Sequence, residues 1–175
     1  NLNGYCALQV GAEGKEKYGY LRDNIGNHIS GKNANYCELT GLYWIWKNTD
    51  DSYKGLVHYR RYFGRNNLSN KISDICSYEY LLNCLKSVDI VLPYVEYFKQ
   101  NAKEEILLHC CTEEIFDKLR QIIETKYPDY IETYDRYFNE NKASLFNMLF
   151  CKREIFDAYC EWLFAILKNF SLHLF

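Results

Sequence analysis

The C-terminal half of the chain carries the clearest alternation of apolar and polar positions. Between residues 153 and 168, apolar side chains recur every three or four positions and form one stripe, which predicts an amphipathic helix. A second helix is predicted after Thr112, whose hydroxyl can cap it, with Glu113 and Glu114 in a first turn that favours negative charge. Pro128 suits the first position of a further helix. The pattern therefore predicts a mainly helical C-terminal half.

Short apolar runs predict strands that alternate with these amphipathic segments. The runs are YCALQV at 5–10, YKGLVHY at 53–59, VDIVL at 88–92 and LFNMLFC at 145–151. A helix ending at Asn48 is predicted, with Asn35 as its N-cap and Glu38 as the capping-box partner, and another helix over 78–87. Strands separated by helices indicate the α/β class, with a mixed sheet flanked by helices.

Glycine is confined to the first third of the chain, between Gly4 and Gly64. The glycine-rich connection at 11–35 shows no periodicity, and connections of this length tend to be functional or mobile. Arg22 and Asp23 lie in this connection and could reach a ligand, although a solvated loop charge is the ordinary interpretation.

Composition narrows the class of protein. The 175 residues carry 21 Lys and Arg against 23 Asp and Glu, so the net charge of -2 argues against a nucleic-acid coat or a polybasic membrane arm. Hydrophobic residues at 48% and charged residues at 25% indicate a globular chain and exclude wholesale disorder. The 17 Tyr, 10 Phe and 3 Trp fit either a core with polar edges, which is the commoner case, or a sugar-binding cleft lined by rings and hydroxyls.

The eight cysteines do not form a disulfide pattern. No Cys-x-x-Cys is present, and Cys37, Cys84, Cys151 and Cys160 stand among apolar residues, where a free thiol behaves as a small hydrophobe. Free thiols indicate a reducing, cytoplasmic compartment. No apolar run of about 18 residues predicts a transmembrane segment.

The segment GLVHYRRYF is the sharpest candidate for chemistry. His58, Arg60 and Arg61 follow the apolar part of a predicted strand, and ligands of open α/β sheets bind beyond the carboxyl ends of the strands. If strand pairing persists, His58 and Arg60 face one side of the sheet. Guanidinium groups offer phosphate a planar fork of donors, so the segment predicts a phosphate or diphosphate clamp. The alternative is that both arginines pair with carboxylates such as Glu38 or Asp51.

A second polar cluster precedes the predicted helix that ends at Asn48. It gathers Lys32, Asn33, Asn35, Tyr36 and Glu38. The free backbone amides at a helix start attract anions, so these residues are candidates for binding a ligand. Ordinary helix capping by the second asparagine and the glutamate explains those two residues equally well.

Three further features give weaker signals. Asn147 interrupts a predicted buried strand, so it is either a hydrogen-bonded core amide or a cleft residue. His109, Cys110 and Cys111 resemble a metal set, but no fourth ligand stands at a suitable spacing. The chain contains no Asp-x-Asp pair and no glycine-rich phosphate loop. We therefore predict no metal ligands from the sequence.

Two motifs in succession, NYCELTGLYWIWKN at 35–48 and GLVHYRRYF at 55–63, resemble a bacterial family of capsular and exopolysaccharide glycosyltransferases, long catalogued as a domain of unknown function. Further matching stretches extend the resemblance over nearly the whole chain: LQVGA, GYLRDNIGNHIS, KYPDYIETYDRYF and NMLFCKREIFDAYCEWLF. The resemblance implies a Rossmann-like sheet of the GT-A type. It also implies transfer of a sugar, of galactose type in many relatives, from a nucleotide-diphosphate donor.

Taken together with the residue patterns, the resemblance suggests roles for the candidate residues. GT-A enzymes usually hold Mn²⁺ or Mg²⁺ with Asp-x-Asp where this chain reads His-Tyr-Arg-Arg, so cationic side chains are expected to replace the metal. The expected acceptor is a capsular polysaccharide, exopolysaccharide or O-polysaccharide, or a lipid-linked glycan at the inner membrane face. The assigned roles are donor diphosphate for His58, Arg60 and Arg61; donor nucleotide or sugar for Lys32, Asn33, Asn35 and Tyr36; base or acceptor contact for Glu38 and Asp23; and acceptor or sugar contact for Asn147.

The chain also departs from the family. An initial strand reading roughly KIYVATHK and a later arginine-containing segment are missing, Gly31 replaces an acidic residue, and the stretch 101–111 lacks the usual Tyr and His. Residues 1–175 are therefore expected to form a single glycosyltransferase-like domain without its first strand and its C-terminal end. The alternative functions are a non-catalytic nucleotide- or glycan-binding module and an inactive truncated transferase.

Overall fold

Strands and helices alternate through the part of the chain that the computed structural model describes, which is residues 4–65 and 71–171. The strands are β1 Leu8–Gln9, β2 Leu21–Arg22, β3 Tyr53–Leu56, β4 Ile90–Val91, β5 Glu96–Tyr97, β6 Lys142–Ala143 and β7 Leu149–Lys152. The helices are α1 Asn33–Tyr36, α2 Leu39–Asn48, α3 Tyr78–Cys84, α4 Ala102–His109, α5 Glu113–Lys126, α6 Ile131–Asn139 and α7 Arg153–Ser171. The α/β class and the more helical C-terminal half are confirmed.

The chain divides into two compact units. The first contains Asn1–Pro93 and Phe146–Cys160, and the second contains Tyr94–Leu145 and Glu161–Phe175. The expectation that residues 1–175 form one glycosyltransferase-like domain without its first strand and C-terminal end stays a prediction. Each unit has a hydrophobic cluster of its own, so the two are described separately.

An antiparallel sheet in the order β3-β7-β4 forms the centre of the first unit. The register places Leu56 opposite Leu149 and Ile90 opposite Cys151. The middle strand β7 is buried over its first three residues, which accounts for its continuous apolar sequence. Phe150 from this strand belongs to the core cluster, together with Phe63, Cys76, Leu81, Leu85 and Met148.

Two strands that lead to the candidate site are shorter than the sequence predicted. The strand predicted over 53–59 ends at Leu56, and a tight turn follows in which the Arg61 N–H donates to the His58 carbonyl over 3.0 Å. Strand pairing therefore does not persist, so the condition under which His58 and Arg60 would share one sheet face is not met. The strand predicted over 145–151 begins only at Leu149.

The helix predicted from Asn35 to Asn48 begins later than expected. Asn35 lies inside the four-residue helix α1, and the chain then breaks at Cys37, which has a positive φ of 46°. Helix α2 starts afresh with Glu38 at its N-cap position, without a side-chain capping bond, and ends at Asn48 as predicted. The predicted capping box was wrong because this backbone break separates its two members.

The glycine-rich connection is folded rather than open. Strands β1 and β2 pair in parallel across it. Arg22 is buried, and its guanidinium donates to the carbonyl oxygens of Ala12, Lys15 and Glu16 over 2.6, 3.0 and 2.9 Å. The interpretation of Arg22 as a solvated loop charge was therefore wrong, because the loop closes around its side chain.

Helices α4 to α6 build the second unit around a cluster of Phe116, Ile122, Ile123, Tyr134 and Ile166. The predicted start of α5 is confirmed, because the Thr112 hydroxyl accepts a hydrogen bond from the Ile115 N–H over 3.4 Å. Pro128 opens a 3₁₀ turn that leads directly into α6, as its sequence position predicted. In the described residues, every helix is too short or too polar to cross a bilayer.

Candidate functional site

A narrow hollow in the first unit brings together three residues predicted to be functional. Glu38, His58 and Asn147 come from distant parts of the sequence and line it side by side. It leaves essentially no space that a water molecule could occupy between these side chains. The remaining lining residues are apolar: Leu56, Val57, Phe146 and Met148.

The pairing of β3 with β7 explains how these segments meet. Leu56 is the last residue of β3 and lies opposite Leu149, the first residue of β7. Because the two strands are antiparallel, residues after β3 and residues before β7 emerge at the same edge of the sheet. His58 and Asn147 are thus brought to this edge, and the start of α2 adds Glu38.

Asn147 bonds directly to Glu38. The Nδ2 amide of Asn147 donates to Oε1 of Glu38 over 2.7 Å. Asn147 is exposed and precedes strand β7, so of the two interpretations left by the sequence it is a cleft residue and not a core amide. The hydrogen bond fixes one oxygen of the Glu38 carboxylate at the rim of the hollow.

The two consecutive arginines are not neutralised by acidic neighbours. Arg60 and Arg61 are exposed, and neither forms an ion pair with a carboxylate in the part of the chain that the structure describes, Glu38 and Asp51 included. The Arg61 guanidinium carbon lies 3.9 Å from the centre of the Phe146 ring. Both guanidinium groups therefore keep their donor capacity for an anion.

His58 joins the arginines to the hollow. Its Nδ1 accepts the backbone N–H of Arg60 over 3.4 Å, and its ring packs on Tyr59 with centroids 4.3 Å apart. The tight turn places His58 within three residues of both arginines, and the Arg60 guanidinium carbon lies 4.8 Å from the centre of the Tyr59 ring. The site thus consists of a shallow hollow and an exposed basic turn, residues 58–61, that begins at its His58.

The size of the hollow limits what it can contain. Small-molecule sites usually enclose roughly 300–1,000 Å³, whereas this hollow leaves essentially no space that a water molecule could occupy. It therefore cannot enclose a sugar ring, and only one group of a larger ligand could rest against its rim. A charged remainder of that ligand would lie outside, where the basic turn is exposed to solvent.

The four residues predicted to contact the donor nucleotide or sugar do not line the hollow. Asn33 has a structural role, because its Nδ2 donates to the Cys37 carbonyl over 2.7 Å and to the Thr40 hydroxyl over 3.1 Å. Lys32 lies over the Tyr36 ring at 5.8 Å, and Asn35 is exposed on α1. The helix α1 that begins among these residues has only four residues, and their contact with the donor stays a prediction.

Asp23 is an internal anchor and does not face the hollow. It is fully buried, and the N–H groups of Gly11 and Ala12 donate to its two oxygens over 2.8 and 3.0 Å. The hydroxyls of Ser30 and Thr40 donate to it over 2.5 and 2.7 Å. Burial alone would raise the pKa of Asp23, but these hydrogen bonds to its charged form outweigh burial and lower the pKa. The expectation of a base or acceptor contact at Asp23 is corrected, because its oxygens are already occupied.

Phe146 is the main site residue that sequence reasoning missed. Its φ of 68° places it in the left-handed region, which is rare for a bulky side chain. The sequence places it inside an apolar run, so its departure from the strand could not be read from the pattern. The nearest signal was the polar residue Asn147 immediately after it.

The residues of the basic turn do not suit a divalent metal. Guanidinium groups stay protonated and offer no lone pair, and only His58 could act as a ligand among His58, Arg60 and Arg61. Across residues 4–65 and 71–171, no three His, Cys, Asp or Glu side chains group as metal ligands. In the second unit, His109 contacts Glu105 at 3.2 Å.

Comparisons with known proteins extend this description. The profile of a family described as "Domain of unknown function (DUF4422)" matches residues 1–174. No curated protein matches the chain significantly. The apo structure of the bifunctional glycosyltransferase WbbM is similar to this chain, with 27% sequence identity and a TM-score of 0.84. The similarity covers 100% of this chain and 35% of the WbbM chain, so this chain spans about a third of that protein's length.

Proposed function

The chain belongs to the DUF4422 family, and we propose that it is a glycosyltransferase of the GT-A type that uses a nucleotide-diphosphate sugar as donor. The proposed sugar is of galactose type. The proposed acceptor is a growing capsular polysaccharide, exopolysaccharide or O-polysaccharide, or a lipid-linked glycan reached at the inner membrane face from the cytoplasm.

One observation carries this proposal. The whole chain shares its fold with part of a bifunctional glycosyltransferase, at a TM-score of 0.84. The geometry of the hollow gives independent support, because a carboxylate, an amide and an imidazole line it. The two arginines that follow His58 form no ion pair with a carboxylate among residues 4–65 and 71–171. The hydroxyls of a nucleotide sugar suit the carboxylate, the amide and the imidazole, and its negatively charged diphosphate suits the arginines.

In the proposed reaction, the basic turn stabilises the leaving nucleoside diphosphate. Negative charge grows on the β-phosphate as the bond to the sugar breaks, and donors placed at that position lower the barrier. Arg60, Arg61 and His58 would supply these donors. Hydrogen bonds to charged groups contribute about 1.5–3 kcal/mol each, so two or three of them provide a substantial part of leaving-group stabilisation without a metal.

Glu38 is the proposed base for the acceptor hydroxyl. It lines the hollow and is held by the Asn147 amide at 2.7 Å, whereas Asp23 is enclosed by its own hydrogen bonds. A positioned carboxylate that accepts a proton contributes roughly 10²–10⁴-fold to the rate. Lys32, Asn35 and Tyr36 stay proposed contacts of the donor outside the hollow.

The test replaces each arginine separately in the intact protein. We expect Arg60→Ala and Arg61→Ala to lower the release of nucleoside diphosphate from the sugar donor by roughly 10²-fold or more, with unchanged circular dichroism and Tm. Arg65→Ala is the matched control, because Arg65 is also exposed and lies over an aromatic ring, Tyr80 at 5.2 Å, but lies outside the basic turn. The assay is run against a panel of nucleotide sugars with acceptor present.

Three results would count against the proposal. Near-normal rates in both arginine variants would reject the diphosphate clamp. An absolute requirement for a divalent metal would show that the arginines do not replace the metal. Binding of nucleotide sugars without turnover would favour the alternative of a non-catalytic nucleotide- or glycan-binding module or an inactive transferase.

A further inference from the structure

Two consecutive residues contact two different groups of the proposed site. Phe146 stacks against the Arg61 guanidinium at 3.9 Å, and Asn147 donates to the Glu38 carboxylate over 2.7 Å. Both residues also line the hollow. We refer to residues 146 and 147 as the corner, since the chain turns there before it enters β7 at Leu149.

The backbone of the corner explains how both side chains reach one site. In an extended strand, successive side chains point to opposite faces. Phe146 instead has a φ of 68°, so the corner is not extended, and Phe146 and Asn147 face the same hollow. Such a conformation persists only where its surroundings enforce it, and it is often found at functional sites.

Core packing does not account for this conformation. The Phe146 side chain is 41% exposed, and Asn147 is exposed as well. A phenylalanine that served only the core would be expected to bury its ring, as Phe150 does in the next strand. The ring instead lies against a cation that has no carboxylate partner among the described residues.

We propose that the corner is a positioning element that sets Arg61 and Glu38 independently, a proposal that rests on the function proposed above. Phe146 holds the guanidinium by its face, which leaves the N–H groups at its edge free to donate to the donor's diphosphate. Asn147 holds the carboxylate that receives the proton of the acceptor hydroxyl. The diphosphate therefore lies at the Arg61 end and the reacting hydroxyl at the Glu38 end of one site.

The proposal predicts a separation of binding from turnover in the intact protein. Phe146→Leu keeps an apolar side chain, and leucine must adopt the same positive φ, but the aromatic ring face is lost. We expect it to weaken binding of inorganic pyrophosphate and UDP, measured by titration calorimetry, by roughly three- to tenfold, and to raise the KM of the donor equally. Phe146→Tyr, whose added hydroxyl can reach solvent, should bind both probes as the wild type does.

Asn147→Ala should produce the opposite pattern. The kcat is expected to fall by roughly 10- to 100-fold, because the carboxylate loses its fixed orientation, whereas the dissociation constants of pyrophosphate and UDP stay within twofold of the wild type. Asn147→Gln keeps the amide and should recover part of the lost kcat. Tyr80→Leu, which removes the ring beside Arg65, is the matched control for Phe146→Leu and should change neither the dissociation constants nor kcat.

A purely structural corner would give a different result. If Phe146→Leu and Asn147→Ala both lower Tm and change binding and kcat together, or if neither changes either quantity, the proposal is overturned. Arg61→Ala and Glu38→Gln are measured in parallel, so that a failure of the positioning role can be told apart from a failure of the proposed function. If those two variants behave as the proposed function expects while the corner variants show no separation, only the positioning role fails. If they leave binding and kcat unchanged, the proposed function fails, and the positioning role is overturned with it.

Discussion

At the scale of single residues, Asp23 is the clearest case of a charged side chain that organises its surroundings. Its carboxylate is fully buried and accepts hydrogen bonds from the N–H groups that follow β1, from Ser30 and from Thr40 in the first turn of α2. A buried charge is tolerated only when such bonds compensate its lost hydration. Asp23 therefore ties the glycine-rich connection to the helix that presents Glu38 to the hollow.

We predict that Asp23→Asn destabilises the protein by about 1–3 kcal/mol at pH 7, because an amide replaces one accepting oxygen with a donor that faces other donors. The measurement is urea unfolding, with the exposed Asp51→Asn as control. Because folding lowers the pKa of Asp23, its contribution is complete above the ordinary aspartate pKa of about 3.9. It is lost as the pH falls through the lowered value. The difference between wild type and variant should therefore shrink below about pH 4; a difference that is constant down to that range would contradict the assignment.

At the scale of elements, the β3–β7 pair determines where the site forms. The sheet brings the residues after Leu56 and those before Leu149 to one edge. Gly55 permits this pairing, because a Cβ at its position would lie 2.7 Å from the Leu149 carbonyl oxygen and 3.2 Å from the Phe150 Cα. These are backbone atoms that cannot rotate away.

We expect Gly55→Ala to destabilise the first unit by about 1–3 kcal/mol, as overpacking of a core usually does, and to reduce transferase activity because the edge of the sheet shifts. Gly31→Ala is the matched control, since its added methyl group would meet only the flexible end of the Glu13 side chain. Unfolding curves and activity are compared for both variants. Equal stability of the two variants would show that β3 and β7 separate without cost.

The elements also show what a linear pattern can predict. The helix α5, with its Thr112 cap, and the long helix α7 follow from local periodicity and capping, which are properties of neighbouring residues. The ends of β3 and β7 were missed because a strand continues only as far as its partner does. The start of α2 was missed because Cys37 adopts a positive φ. Cysteine is not one of the residue types, such as glycine or asparagine, that would indicate a positive φ in the sequence.

At the scale of the whole molecule, family membership and fold similarity cover the sheet edge at which Glu38, His58 and Asn147 meet. The profile match spans residues 1–174, and the structural similarity spans the full chain at 27% identity. The glycosyltransferase fold is therefore supported over the entire length that contains the hollow.

A thermal-shift screen tests the molecule as a whole. We expect nucleoside diphosphates and their sugars to raise the Tm of the intact protein without manganese, with stabilisation of about 2.7 kcal/mol when the ligand is at 100 times its dissociation constant. Arg61→Ala should lose most of this shift. A shift that requires manganese, or one that Arg61→Ala retains in full, would show that the diphosphate binds elsewhere or by another chemistry.

The sequence by itself determined the α/β class, the helical C-terminal half and the short list of residues that carry chemistry. These follow from local periodicity, capping and the cost of placing arginines beside a buried strand. Only the tertiary structure decided which of those residues act together: it joined Glu38, His58 and Asn147 in one hollow, left Lys32 and Asn35 outside it and enclosed Asp23. The physical reason is that strand register and backbone turns such as that at Phe146 depend on contacts between residues about a hundred positions apart.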